Sequence, residues 1–225
     1  MKTIIITGCA NGIGNYLFEN FDRKKYDVYG IDKELVSKKN TFKCDISNIR
    51  LLDTVTAPLD RKPIDAIINV AGVCPRGGFH DFLDKDFDEI INNNVKSTFN
   101  MCKMFVVGLI LAKGSIINIS SVHAKATLPG YAMYAMTKGA VEAFTRGLAI
   151  ELAETGVRAN CIRLGAVKTS MLRYKEAEVE KIPLQCTIEQ KDILSLIGEL
   201  IENKSITGGI FTLDCGMTSK LSVEM

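Results

Sequence analysis

Tyr134 and Lys138 stand four residues apart in Tyr134-Ala135-Met136-Thr137-Lys138, and Ser121 lies thirteen positions upstream of the tyrosine (134 − 121). On a helix, positions i and i+4 share a face, so this spacing predicts the Lys138 ammonium beside the Tyr134 phenol. A free phenol ionises near pH ~10 and is a poor proton acceptor at neutrality. A fixed cation beside it favours the ionised form and lowers that pKa. The pair is therefore suited to general acid/base work.

The elements that must position this pair follow from apolar runs and turn residues. Strand-like runs at Thr3 to Ile6, Asp27 to Ile31, Thr41 to Cys44, Ala66 to Asn69, Ser115 to Ile119, Arg158 to Ile162 and Gly209 to Leu213 alternate with helix-length segments. Such alternation predicts an α/β fold, a Rossmann-type doubly wound parallel sheet of about seven strands with helices on both faces, in a single domain over residues 1–225. The first run passes directly into Thr7-Gly8-Cys9-Ala10-Asn11-Gly12-Ile13-Gly14. Glycines there permit a tight strand-to-helix turn, and a dinucleotide pyrophosphate can approach the unpaired amides at the helix start. Tyr134 and Lys138 fall on a long helix predicted over Tyr131 to Glu154.

The turn has the T-G-x-x-x-G-x-G spacing. With Tyr134-x-x-x-Lys138, Asn69-Val70-Ala71-Gly72 after an apolar strand, Asn94 in Asn92-Asn93-Asn94-Val95-Lys96 and Asn118-Ile119-Ser120-Ser121, it makes the chain resemble the short-chain dehydrogenase/reductase family over nearly its full length. Two departures stand out. Val70 replaces the second Asn of that family's Asn-Asn-Ala-Gly turn, and Leu164 replaces the proline before Gly165, which frees that turn by removing a fixed φ.

The resemblance implies catalytic positions at Asn94, Ser121, Tyr134 and Lys138, with Ser121 rather than Ser120 chosen by its spacing to the tyrosine. It implies a secondary alcohol and a ketone interconverted by hydride transfer. Tyr134 would exchange the hydroxyl proton, Ser121 would hydrogen-bond the substrate oxygen, Lys138 would bind the nicotinamide ribose and stabilise the charged phenol, and Asn94 would hold a water linking Lys138 to solvent. Cofactor contacts are implied for Gly8, Asn11, Gly12, Ile13, Gly14, Asn69, Ala71, Gly72, Tyr134, Lys138, Val167 and Thr169, with Asp45 and Ile46 against the adenine. Asp32 ends the second strand eighteen residues after Gly14 (32 − 14). A carboxylate there accepts from the adenosine ribose hydroxyls and repels a 2′-phosphate, so NAD is expected over NADP.

Other readings remain open at this level. A 3-oxoacyl-thioester (acyl carrier protein) reductase of the same family is the leading alternative, and a non-catalytic NAD-sensing protein is a third. The substrate pocket is expected between Cys74 to Phe79, His123 to Tyr131 and Lys168 to Cys186, with Leu128, Pro129 and Met133 contributing apolar surface. Arg76 and Arg173 are candidates to clamp an acidic substrate, against the plainer reading of solubilising surface arginines. His123 divides evenly between a pocket role and a structural one, and Cys9 and Cys74 read as packing residues. Relatives pair two long helices, here about Asn94 to Ala112 and Tyr131 to Glu154, so a homotetramer or dimer is expected, with Met101, Met104, Phe105, Leu109, Phe144 and Leu148 as candidate apolar faces against the plainer reading of core packing.

Composition excludes several other classes. With 28 basic and 26 acidic residues the net charge is +2, too weak a field to suggest nucleic acid or an anionic membrane as partner. A small molecule is expected instead. The most apolar stretch, Met104 to Ala112, is nine residues, short of the ~20 that cross a bilayer. The apolar start after Met1-Lys2 imitates a signal peptide but runs straight into the glycine turn. Seven cysteines, odd in number and without C-x-x-C spacing, suit small buried apolar residues in a reducing cytoplasm, without disulfides. The two histidines, His80 and His123, lack the partners of a zinc site, so no metal is expected.

Overall fold

The computed structural model describes residues 1–34, 37–169 and 176–220. Seven strands form one sheet, β1 (Lys2–Thr7), β2 (Tyr26–Asp32), β3 (Thr41–Lys43), β4 (Ala66–Asn69), β5 (Ser115–Ser121), β6 (Arg158–Leu164) and β7 (Ile210–Leu213). Their order is β3-β2-β1-β4-β5-β6-β7, and every pairing is parallel. The chain reverses its direction of travel across the sheet between β1 and β4, the switch point outside whose carboxyl ends ligands gather in such folds.

Helices α1 (Gly12–Asn20), α2 (Ile49–Thr56), α3 (Asp84–Ile91), α4 (Ser97–Ala112), α5 (Ala132–Glu151), α6 (Glu176–Val179) and α7 (Gln190–Glu202) complete the fold. Successive strand side chains point to opposite faces. Ile4, Ile6, Ala66, Ile68, Ile117 and Ile119 therefore pack with Leu17 and Phe18 of α1 and Ile193, Ile197 and Leu200 of α7. Ile5, Ile67 and Ile116 pack on the other side with Leu52 of α2, Met101, Phe105 and Leu109 of α4 and Ala149 of α5. Burial of both faces explains why the strands read as continuous apolar runs rather than alternating ones. Ile4, Ile5 and Ile6 are each fully buried, worth about 1.5–3 kcal/mol apiece.

α3 and α4 join through one π-helical turn, Asn92–Lys96, into a continuous helix over Asp84–Ala112. By length and composition alone this helix is long and apolar enough to cross a bilayer. It begins on Asp84, Lys85, Asp86 and Asp88, and its Met101, Phe105 and Leu109 lie in the core beneath the sheet.

Of the residues expected at an oligomer face, Met101, Phe105 and Leu109 pack in this chain's own core. The large apolar residues left exposed on α4 and α5 are Phe99, Val107, Ile110, Leu111, Met136 and Ile150.

Candidate active site

The glycine turn is built by close packing. Gly8 takes φ +73°, which L side chains rarely adopt, and a Cβ on Gly14 would lie 2.1 Å from the Gly8 carbonyl oxygen. Only glycine lets α1 start this near the end of β1. The Asn11 side chain makes no capping bond and the first turn of α1 carries no acidic residue, so the leading amides face the cleft as an anion-accepting end. Asp32, at the tip of β2, accepts from the Ala10 amide at 2.9 Å through Oδ2 and from the Glu34 amide at 2.9 Å through Oδ1. Thr7, to which no role was assigned from sequence, ties this turn to the next: its Oγ1 accepts from the Val70 and Ala71 amides at 3.0 and 3.1 Å.

A cleft of about 540 Å³ opens along the carboxyl ends of the strands. Gly8, Asn11, Gly12, Ile13, Gly14, Asp32, Asp45, Ile46, Ala71, Gly72, Ser121, Tyr134, Lys138, Val167 and Thr169 all line it. The glycine turn, the acidic tip of β2 and a Gly72 wall without side chain together fit a dinucleotide.

Two of the sequence-predicted residues lie outside this lining. Asn69 is buried beneath the cleft, where its Nδ2 donates to Asn118 Oδ1 at 2.8 Å. Asn118 Nδ2 in turn donates to Thr145 Oγ1 at 2.8 Å. This buried chain pins α5 to the sheet, and its signal in the sequence was an asparagine in the middle of an otherwise apolar strand. Asn94, 1% exposed in the π-helical turn, uses its amide to clamp the loop after β4. Its Oδ1 accepts from the Val73 amide at 2.7 Å, and its Nδ2 donates to the Val73 carbonyl at 2.8 Å and to Thr137 Oγ1 at 3.0 Å. A Cβ on Gly72 would fall 3.0 Å from Asn94 Oδ1 and 3.6 Å from Lys138 Nζ. Asn94 therefore stands just behind Lys138, with its side chain committed to the fold.

The two serines at the end of β5 separate cleanly. Ser120 donates to Glu142 Oε1 at 2.8 Å, on the side where Glu142 meets Arg163 in a two-pronged ion pair, Nε to Oε1 at 2.9 Å and a terminal nitrogen to Oε2 at 2.6 Å. Ser121 caps the following turn by accepting from the His123 amide at 3.3 Å, and its hydroxyl near the Tyr134 phenol favours the ionised form.

Lys138 Nζ donates to the Ile119 carbonyl at 2.9 Å and lies 5.7 Å from the Tyr134 ring centroid. Burial pushes the Lys138 ammonium below its ordinary pKa. Burial also pushes the Tyr134 phenol well above its ordinary value, Cys74 and Tyr131 add to the rise, and the Ser121 hydrogen bond opposes it. The expected lowering by the lysine is thus overturned among the chain's own groups: desolvation is the largest cause of the shift, and Lys138 directs a donor to the Ile119 carbonyl.

His123 stacks on Tyr131 with centroids 4.2 Å apart and meets the edge of Tyr134 at 5.8 Å, so it lines the cleft. Arg76 is exposed and lies over the Tyr131 ring at 5.4 Å. Arg173 and the expected wall over residues 170–175 lie outside the described residues. Leu128 is exposed and Met133 buried, and neither lines the cleft; Val73, Cys74 and Val122 do. The turn after β6 is not freed by Leu164. β6 runs in register with β5 through Leu164, Gly165 N donates to the Leu213 carbonyl at 3.0 Å, and Ile188 N donates to the Ala166 carbonyl at 2.8 Å.

A parallel sheet of this order, with a glycine turn, an acidic strand tip and a serine, tyrosine and lysine converging on one cleft, defines a Rossmann-type α/β protein with its site at the switch point. Residues 2–180 match the family described as short chain dehydrogenase. Across its whole length the chain is 33% identical to the oxidoreductase UcpA of Escherichia coli O157:H7, covering 97% of that protein. The chain belongs to the short-chain dehydrogenase/reductase family and is an oxidoreductase. Among solved structures, 4-hydroxyisoleucine dehydrogenase complexed with NADH superposes with a TM-score of 0.90 at 26% identity, over 98% of this chain and 100% of that one. A 3-oxoacyl-[acyl-carrier protein] reductase with bound NAD from Brucella melitensis gives 0.87 at 23% identity, over 96% and 91%, a likeness of fold alone.

Proposed function

We propose that this enzyme interconverts a secondary alcohol and its ketone with NAD as the preferred cofactor. One observation carries the reading: Ser121, Tyr134 and Lys138 line the same cleft as the glycine turn and Asp32. Gly8, Asn11, Gly12, Ile13 and Gly14 would hold the pyrophosphate, Asp32 the adenosine ribose, Asp45 and Ile46 the adenine, and Ala71, Gly72, Val167 and Thr169 the remainder. Once bound, the nicotinamide supplies the hydride acceptor or donor.

The chain's own residues do the rest. Ser121 donates to the substrate oxygen and fixes it against the Tyr134 hydroxyl. In reduction Tyr134 gives its proton to that oxygen, and its raised pKa keeps the proton in place at neutral pH until it is needed. In oxidation Tyr134 takes the alcohol proton. Lys138 has three donors and spends one on the Ile119 carbonyl, so two remain for the ribose hydroxyls and for re-protonating the phenol. Asn94 acts as a positioning residue, fixing the Val73 loop beside Lys138. Exposed Phe99, Val107, Ile110, Leu111 and Ile150 supply apolar area for self-association of α4 and α5 into a homo-oligomer.

A panel of secondary alcohols and ketones, with a 3-oxoacyl thioester included, assayed with NAD and NADP by nicotinamide absorbance tests the reading. Turnover of a simple alcohol with NAD supports it. Turnover of the thioester alone moves the assignment to the acyl-thioester reductases, and NAD binding without turnover of any substrate moves it to a sensor.

A further inference from the structure

Three of the cysteines do not fit the expectation of small buried residues. Cys9, Cys44, Cys102 and Cys161 are buried, but Cys74 and Cys186 are exposed and Cys215 is half-buried. Of these, Cys186 and Cys215 are 29 residues apart in sequence and 3.5 Å apart between sulfurs.

The backbone holds the two loops together independently of the thiols. Leu184 N donates to the Cys215 carbonyl at 3.2 Å. A Cβ on Gly216 would lie 3.0 Å from Pro183 Cβ, so the segments touch on both sides of the sulfurs. Cys215 itself sits at φ +52°, a region that costs a non-glycine residue strain and persists where the surroundings fix it. Closing a disulfide from this arrangement needs the sulfurs to approach from 3.5 Å to ~2.05 Å.

We propose that Cys186 and Cys215 form a reversible disulfide when the protein meets a low-molecular-weight disulfide. The exposed Cys186 thiolate attacks one sulfur of that reagent, forming a mixed disulfide and releasing one small thiolate. The Cys215 thiolate then attacks Cys186 Sγ and displaces the second, so the protein is oxidised by two electrons and two small thiols carry away the protons. The order follows from exposure, since burial and the neighbouring Cys186 push the Cys215 thiol up to about 11.

The bond would act on the cleft. Two residues beyond Cys186, the Ile188 carbonyl accepts from the Lys168 amide at 3.0 Å, and Ile188 pairs with Val167. One residue before Cys215, Asp214 packs so closely on Gly165 that a Cβ there would lie 2.9 Å from its Cα. The cysteines thus hang from the two segments that bracket the Gly165 to Thr169 turn, which lines the cleft. Oxidation ties those segments together and makes the mobility of that turn depend on thiol redox state.

The test reads thiols rather than turnover and so is independent of the proposed activity. The full chain is incubated with oxidised glutathione, alkylated under denaturing conditions, and analysed by intact mass and peptide mapping. Of seven thiols, five should remain alkylatable (7 − 2), with a peptide linking Cys186 to Cys215 that dithiothreitol cleaves. In Cys215→Ser the reaction should stop at glutathione retained on Cys186, and in Cys186→Ser no intramolecular bond should form. Seven alkylatable thiols after oxidation, a linkage between other cysteines, or an internal disulfide persisting in either serine variant would overturn the proposal.

Discussion

Replacing Asp32 with asparagine separates the turn bonds this carboxylate makes from the cofactor selection proposed for it. It is half-buried at the tip of β2 and accepts from the Ala10 and Glu34 amides at 2.9 Å each. Asparagine keeps the size but has one accepting oxygen, so one of those amides loses its partner and the glycine turn loosens for either dinucleotide alike. The charge acts differently on the two. Losing a charge-assisted bond to a ribose hydroxyl costs about 1.5–3 kcal/mol, which at ~1.4 kcal/mol per tenfold weakens NAD roughly 10- to 150-fold. Two unit charges ~4 Å apart repel by about 4 kcal/mol at an effective dielectric near 20. Salt and solvent at a half-exposed site reduce this to on the order of 1–2 kcal/mol, a gain of about tenfold for a 2′-phosphate. The ratio of NADPH to NADH affinity should therefore rise at least ~100-fold, read by fluorescence titration of the reduced cofactors, which needs no substrate. Equal weakening of both cofactors would show that Asp32 serves the turn alone and would refute the assignment of NAD preference to its charge.

The raised Tyr134 pKa fixes the sign of the pH dependence. Alcohol oxidation needs the phenolate, so its kcat/KM should climb about tenfold per unit across pH ~7–9, whereas ketone reduction needs the phenol and should stay flat there; parallel profiles in the two directions would contradict this. Glu142→Gln breaks the buried pair with Arg163, whose side chains are 6% and 14% exposed, and should cost about 3–5 kcal/mol in a denaturant titration, with a loss below ~1 kcal/mol excluding that role. Bonds from Lys2, then Lys25 and Tyr26, hold Glu202 at about 2 against an ordinary 4.5. A depressed carboxylate stabilises the fold above its unfolded pKa and loses that contribution as pH falls through the folded one. The melting temperature should thus drop between pH ~4.5 and ~2, modestly because the group is 37% exposed and screened. Glu202→Gln should flatten that limb, and an unchanged acid limb would exclude the network.

Much of this was legible because local patterns dictate it. β-branched runs marked each strand to within a few residues, the glycine spacing marked the turn, and the thirteen-residue interval picked Ser121 while Ser120 turned to Glu142. Quantities set by three-dimensional surroundings were not legible. The direction of the Tyr134 shift depends on desolvation and on where Lys138 points its protons, and helical spacing reports neither. The Leu164 turn read as loose because one fixed φ was missing, whereas the Ile188 and Leu213 contacts that hold it come from residues far along the chain. Asn94 was placed in the right neighbourhood, but its commitment to Val73 and Thr137 required the π-helical turn that rotates it inward. The apolar face of α4 was left open because a helix apolar on several sides leaves its buried stripe undetermined.

The proposed activity requires Tyr134 to exchange a proton within a nucleotide cleft, and Tyr134→Phe tests this most directly when NADH affinity and turnover of a responsive alcohol are measured on the same preparation. The expected result is unchanged NADH affinity with turnover reduced by ~10²- to 10⁴-fold. Turnover at the parent rate in the phenylalanine variant would contradict it.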